Sequence, residues 1–197
     1  MQVTKERYYS PEEYLALEEA ADYKSEYFDG RIVPMAGGST NHNQIAVNFS
    51  AELNFAFKRL DYRVFMSDVR LWIPKRRIYT YPDSIVVVGE PEYFNQRNDT
   101  ITNPKAIIEV LSDSTKGYDR GGKFEIYRTI PTFEEYLLIS QNGIHIEQYS
   151  KTANKRWSLQ EYDEDDETIA LTSVEFKISI ADIYNKVIFT QSLKTHE

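Results

Sequence analysis

Ala106-Ile107-Ile108-Glu109-Val110-Leu111 is the stretch on which the fold of this chain turns. Its length and its apolar residues are those of a strand buried on both faces, as in the middle of an α/β sheet. Glu109 stands inside it. A lone carboxylate there carries a large desolvation cost, so it must meet a cation or a metal, or take up a proton. The preceding apolar run, Pro82-Asp83-Ser84-Ile85-Val86-Val87-Val88, opens with a second acid. Two neighbouring core strands that each carry one carboxylate can direct both at a single point, which is how a protein holds a hard divalent cation.

Upstream, Ser10-Pro11-Glu12-Glu13 is a helix start, with Ser at the N-cap, Pro in the first turn and Glu at the third position; the helix should run to about Ala20. Tyr23–Phe28 and Arg31–Met35 flank Asp29-Gly30, a strong hairpin signal. From about Asn41 to Leu60, Ile45, Phe49, Leu53, Phe57 and Leu60 recur at helical spacing. Tyr62–Phe65 and Val69–Ile73 read as strands, followed by the basic loop Pro74-Lys75-Arg76-Arg77. Between the two central strands, Glu90 to Pro104 is a polar excursion with room for a short helix or a loop.

Downstream of Glu109, Ser112-Asp113-Ser114-Thr115 reads as a turn, and a helix is expected from Asp119 to Ile130, with Gly121-Gly122 weakening its start. Tyr136–Ser140 and Ile144–Tyr149 flank Gln141-Asn142-Gly143 as another hairpin. Trp157–Tyr162 extends it, and Ile178–Tyr184 is a small apolar element. The pattern predicts an α/β (α+β) fold: a central mixed, largely antiparallel sheet with helices on its faces.

The chain has 197 residues, 41% of them hydrophobic, enough for one core and a single domain over 1–197. No apolar run approaches a membrane span, and Met1-Gln2-Val3-Thr4-Lys5-Glu6 lacks a signal-peptide core, so a cytoplasmic protein without membrane contact is expected. Without cysteine there is neither a disulfide nor an iron–sulfur cluster. His42, His145 and His196 are the only soft nitrogen ligands, which argues against structural zinc. The net charge of −8 argues against a nucleic-acid partner until its distribution is considered. Glu161 to Glu167 holds six acids, and removing them leaves −2; that run reads as a solvated hairpin loop.

The helix after Glu109 supplies cations. At about 100° per residue, Arg120, Lys123 and Tyr127 fall on one face, which can turn toward the two acids. Two acids with an ammonium and a guanidinium suit phosphoryl transfer to water, the acids holding Mg²⁺ or Mn²⁺ and the lysine acting on the water or on the transition-state charge. The order Pro82-Asp83, then an acid 26 positions later inside an apolar strand, resembles the PD-(D/E)XK nuclease superfamily. Tyr81-Pro82-Asp83, Ile108-Glu109-Val110-Leu111-Ser112, Tyr118-Asp119-Arg120-Gly121-Gly122-Lys123-Phe124 and Tyr136-Leu137-Leu138-Ile139 resemble one branch of it, the Uma-type restriction endonuclease-like family. Glu26-Tyr27-Phe28-Asp29-Gly30 and Ser39-Thr40-Asn41-His42 match as well, so the resemblance covers about residues 8 to 185.

The resemblance implies a single nuclease-like domain with a restriction-endonuclease-like core, helices on both sides of the sheet and accessory C-terminal strands. It implies Asp83, Glu109 and the Val110 carbonyl as ligands of Mg²⁺ or Mn²⁺, and DNA as the substrate. Glu26 would complete or orient the metal shell. The superfamily's lysine stands two residues after the second acid, where this chain has Leu111; the resemblance implies that Lys123 has taken over the role. Lys123→Ala is then expected to abolish cleavage with little change in melting temperature. His42, Arg120, Tyr127 and Gln141 are accessory candidates, and Lys75, Arg76 and Arg77 are candidates for contact with the DNA backbone. A homodimer fits cleavage of both strands.

Each residue also has a plainer reading. Asp83 can cap a strand, Glu109 can pair with an arginine, Lys123 and Arg120 can form a solvated helix face, and Glu26 can be an exposed hairpin residue. His42 reads first as a helix-start histidine hydrogen-bonded at the edge of the core, and the basic loop as solvated. A non-catalytic interaction module on the same fold remains the alternative to an endonuclease. A carboxylate-pair glycosidase fits less well, because a sugar needs no cationic stripe.

Overall fold

The computed structural model describes residues 7–113 and 115–189. Met1–Glu6, Ser114 and His196 lie outside the described residues. Helix α1 (Pro11–Ala20) opens the fold with a complete capping box: the Ser10 hydroxyl accepts from the Glu13 N–H, and the Glu13 carboxylate accepts from the Ser10 N–H. Strands β1 (Ser25–Phe28) and β2 (Arg31–Pro34) follow as a hairpin. Its two-residue turn needs φ of 37° at Asp29 and 101° at Gly30, which is why Asp-Gly stands there. Helix α2 (Thr40–Ala56) is capped by Ser39 and buries Ile45, Phe49 and Leu53 at the expected spacing. It stops before Leu60, which is left largely exposed.

Next come β3 (Tyr62–Met66), β4 (Arg70–Ile73), a 3₁₀ turn at Pro74–Arg76, β5 (Ile78–Thr80) and β6 (Ser84–Val88). The polar excursion contains a 3₁₀ turn at Phe94–Gln96 and the two-residue β7 (Thr100–Ile101). Strand β8 (Ala106–Leu111) is buried along its whole length, Glu109 included. The next helical segment starts three residues earlier than expected, as α3 (Lys116–Tyr118), a π-helical turn (Asp119–Lys123) and α4 (Phe124–Tyr127). Then come β9 (Glu135–Ser140), β10 (Ile146–Ala153), β11 (Arg156–Tyr162), β12 (Thr168–Leu171), β13 (Phe176–Ser179) and the single-turn α5 (Ile180–Ile183). The acidic run is exposed as expected. It links β11 to β12, which lie in different sheets, and is therefore a crossover and not a hairpin loop.

A six-stranded sheet, β11-β10-β9-β8-β6-β3, is the centre of the fold. Only the β8–β9 pair within it is parallel. Alternation along β8 sends Ile108 and Val110 to one face, where α2, β12, β13 and α5 form the larger core. Ile107 and Leu111 face the other way, toward α4 and the five-stranded sheet β2-β1-β5-β4-β7. The far side of that second sheet packs Tyr27, Trp72 and Tyr79 against Tyr14 of α1. The result is a mixed α/β architecture with helices on both outer faces and a cleft between the β1–β2 hairpin, the start of α2 and the ends of β6 and β8.

The C-terminal strands are latched by one acid. Glu135 is fully buried and accepts hydrogen bonds from the Gln148 amide, the Ser150 hydroxyl, and the main-chain N–H and hydroxyl groups of both Thr172 and Ser173. The last two residues form the turn between β12 and β13. A buried carboxylate with this many donors costs little to keep and a great deal to orphan.

Candidate active site

Strand register brings the two acids together. Strands β6 and β8 pair Ser84 with Ile108 and Ile85 with Ile107, so one further step sets Asp83 opposite Glu109. The Asp83 Oδ2 accepts the Val110 N–H at 2.8 Å and lies 3.3 Å from His42 Nε2. Glu109 is 3% exposed, and its Oε1 accepts from the Tyr127 hydroxyl at 2.8 Å and from Lys123 Nζ at 3.0 Å. Both acids line one cleft of about 820 Å³, together with Glu26, His42, Asp119 and Lys123.

Each neighbour is positioned by a different element. On β1, Tyr27 faces α1 and Glu26 faces inward, where it accepts a hydrogen bond from Thr80. Lys24 and Phe28, on the same face of the hairpin, line the cleft as well. The π-helical turn carries Asp119 and Lys123, with Nζ 3.2 Å from Asp119 Oδ1. Gly122 is needed there: a Cβ would lie 2.5 Å from the Tyr118 ring, which packs across it. Tyr127, one turn beyond Lys123, is fully buried beneath Glu109.

Acids outnumber cations in this cleft. Burial, together with the charges of Asp83 and Asp119, pushes the Glu109 carboxyl above its usual range despite the pull of Lys123. Burial works against the Lys123 ammonium, but Glu109, Glu26 and Asp119 outweigh it and raise its pKa well above the ordinary value. For His42 too, burial is opposed and overcome, here by the Asp83 hydrogen bond and charge, by Glu109 and by the Val110 main chain, so its pKa is raised.

Several sequence candidates go elsewhere. Arg120 does not share a face with Lys123: its Nε donates to Glu147 on β10 at 2.6 Å. The wider π-helical turn breaks the α-helical phase that would have aligned the two. Gln141 takes the Ser39 hydroxyl at the cap of α2 and so supports the start of the helix that carries His42. It lines a separate, smaller pocket with Asn142 and Lys186. Arg76 pairs with Glu125, Arg77 pairs with Asp29, and Lys75 is exposed. All three lie beyond the far end of β5 from Thr80, about 10 Å along the strand. Asp119 was not singled out from sequence, where it marks only the expected start of the helix. Its distance of four residues from Lys123 was the available signal.

The family model described as "Putative restriction endonuclease", Uma2, matches residues 11–181. The chain belongs to the Uma2 family. Two proteins of Synechocystis sp. are similar to it, both described as uncharacterized. One, sll1609, is 44% identical over 149 residues, covering 76% of this chain and 84% of that protein. The other, slr1290, is 38% identical over 182 residues, covering 91% and 93%. A crystal structure described as "a putative nuclease belonging to DUF820 from Anabaena variabilis" superposes with a TM-score of 0.74 at 19% identity, covering 91% of this chain and 99% of that one. That likeness is one of fold. No helix among the described residues is long and apolar enough to cross a membrane.

The donors of this Uma2 cleft suit a small, hard cation. Among the described residues, no three Asp, Glu or His side chains are grouped as a ready-made metal cage. Two carboxylates suit Mg²⁺, which keeps several of its waters and takes one or two carboxylates from the protein. The surplus of acid over cation favours the same charge.

The pairing of His42 with Asp83 has a pH signature. Because the folded pKa of His42 is raised, the pairing stabilises the fold fully below the ordinary value of about 6.5 and is lost as pH rises through the folded value. His42→Asn is therefore expected to cost more stability near pH 5.5 than near pH 9 in metal-free urea unfolding. An equal cost at both would mean that Asp83 does not hold the imidazolium.

Proposed function

We propose that this Uma2 protein is a metal-dependent endonuclease that hydrolyses DNA phosphodiester bonds. The observation that carries the reading is the convergence of Asp83, Glu109 and Lys123 on one cleft, from the residue before β6, from β8 and from the π-helical turn. Asp83 and Glu109 would hold Mg²⁺ or Mn²⁺, with the Val110 carbonyl as a further oxygen donor. Such an ion supplies polarisation of a phosphate oxygen and a more acidic water.

The chain's own groups do the rest. Lys123, fixed by Glu109 and Asp119, offers an ammonium to the attacking water or to charge on the phosphate oxygens. Tyr127 holds Glu109 from below, and Glu26 adds negative charge beside Lys123. His42 orients Asp83 from the α2 side. Lys75, Arg76 and Arg77 sit one strand length from the cleft, a span that a DNA backbone covers, and are the proposed backbone contacts. Cutting both strands calls for two such sites, which a two-fold homodimer would supply.

Supercoiled plasmid should be nicked or linearised with Mg²⁺ or Mn²⁺ and left intact with a chelator. Either ion should also stabilise the protein by mass action, by about 2.7 kcal/mol at a hundred times its Kd, a shift of roughly 5–10 °C in Tm. If neither ion moves the melting curve and no condition cuts DNA, the reading fails and a non-catalytic module on this fold takes its place.

A further inference from the structure

Asp119 is a buried acid for which the proposed chemistry has no direct use. It is 2% exposed, and its Oδ1 is shut away from solvent without a hydrogen-bond partner. Lys123 Nζ lies 3.2 Å away, close enough to pair in charge but off the direction of a hydrogen bond. The ammonium is instead directed at Glu109 Oε1, at 3.0 Å, an oxygen that already accepts from Tyr127. One ammonium thus stands between two buried carboxylates, bonded to one and not to the other. An unused buried acceptor is costly to keep. The main chain around it is fixed, since the Tyr136 hydroxyl donates to the Asp119 carbonyl.

A divalent ion on Glu109 changes the balance. Ion and ammonium would then compete for one carboxylate and repel each other. A lysine ammonium has three donors on a flexible stem and can turn to a second acceptor without moving its helix. Resting on the reading of Glu109 as a metal ligand, we propose that Asp119 is a positioning residue that takes the Lys123 ammonium over from Glu109 when the ion binds. The lysine then stays charged and oriented in the cleft and no longer opposes the ion.

The test is calorimetric titration of the full chain with Mn²⁺. Asp119→Asn should raise the Kd about tenfold, because a neutral amide has no charge to hold the displaced ammonium. In a Lys123→Met background, where nothing needs accepting, the same change should move the Kd by no more than about twofold. An equal loss in both backgrounds would overturn the proposal by showing that Asp119 acts on the ion directly, and no loss in either would overturn it too. If the parent protein binds no Mn²⁺, this inference and the proposed function fall together; if it binds and the cycle shows no coupling, only this inference falls. Crystals of the unaltered protein soaked in Mn²⁺ give a readout that needs no variant. Nζ should lie about 2.9 Å from Asp119 Oδ1 with hydrogen-bond geometry, and an ammonium still bonded to Glu109 alone would overturn the proposal.

Discussion

Asp83→Asn is expected to lower DNA cleavage by about three orders of magnitude or more while the protein stays folded. The asparagine keeps a carbonyl oxygen for the Val110 N–H, which Asp83 accepts at 2.8 Å, so the strand end is not orphaned. It loses the negative charge that a divalent ion requires and that draws His42 to 3.3 Å. Asp83 is also one of the charges that push the Glu109 carboxyl upward, so its neutralisation relieves repulsion in the metal-free cleft. Stability without metal should therefore rise slightly at high pH, where His42 is neutral, and the stabilising effect of Mg²⁺ should disappear. Plasmid cleavage and urea unfolding of the same preparation measure both. Near-normal cleavage in this variant would mean that the ion, if one is used, is held elsewhere.

Lys123→Ala should be the more damaging change to the fold. Cleavage is expected to fall by about two to three orders of magnitude, the usual scale for losing one group that stabilises transition-state charge. From the sequence, Lys123 is expected to face the acids and its loss to leave the melting temperature nearly unchanged. The structure argues for a stability cost, since the Lys123 side chain is only 13% exposed and pairs with Glu109 and Asp119. Removing one partner of a buried pair leaves uncompensated charge, at a cost of about 3 kcal/mol or more. Mg²⁺ should recover part of that loss, because the ion replaces positive charge among the same acids. A variant that is inactive yet as stable as the parent in chelator would mean that Lys123 is not the counter-charge of this cleft.

What the sequence revealed follows from where local chemistry decides. The Ser10–Glu13 capping box, the Asp29-Gly30 turn and the apolar spacing of α2 are each set within a few residues, and they appear as expected. Glu109 was legible because an acid inside an apolar strand has few physical excuses. Strands β5 and β7 were missed because each has three residues or fewer and exists through its partners, and the C-terminal strands that the resemblance implied had no local pattern to place β12 and β13. The Arg120 error has a single cause, a π-helical turn that no residue pattern announced. His42 sits at the start of α2 by the edge of the core, as its plainer reading expects, but its partner, Asp83, was not legible because it is 41 positions away in sequence and next to His42 only across the fold.

The alternation along β8 has a consequence for how the chain finds its alignment. Ile108 and Val110 face α2, while Glu109 looks the opposite way, to Lys123 and Tyr127. A slip of one residue in pairing with β6 or β9 would exchange the two faces. Glu109 would then press against Ile45 and Phe49 of α2, with no ammonium or phenol to receive it. An all-apolar strand would tolerate that error far better, because either face could be buried. The carboxylate on which the proposed chemistry depends is thus also a proofreading mark, raising the energy of misaligned sheets while the chain is still assembling.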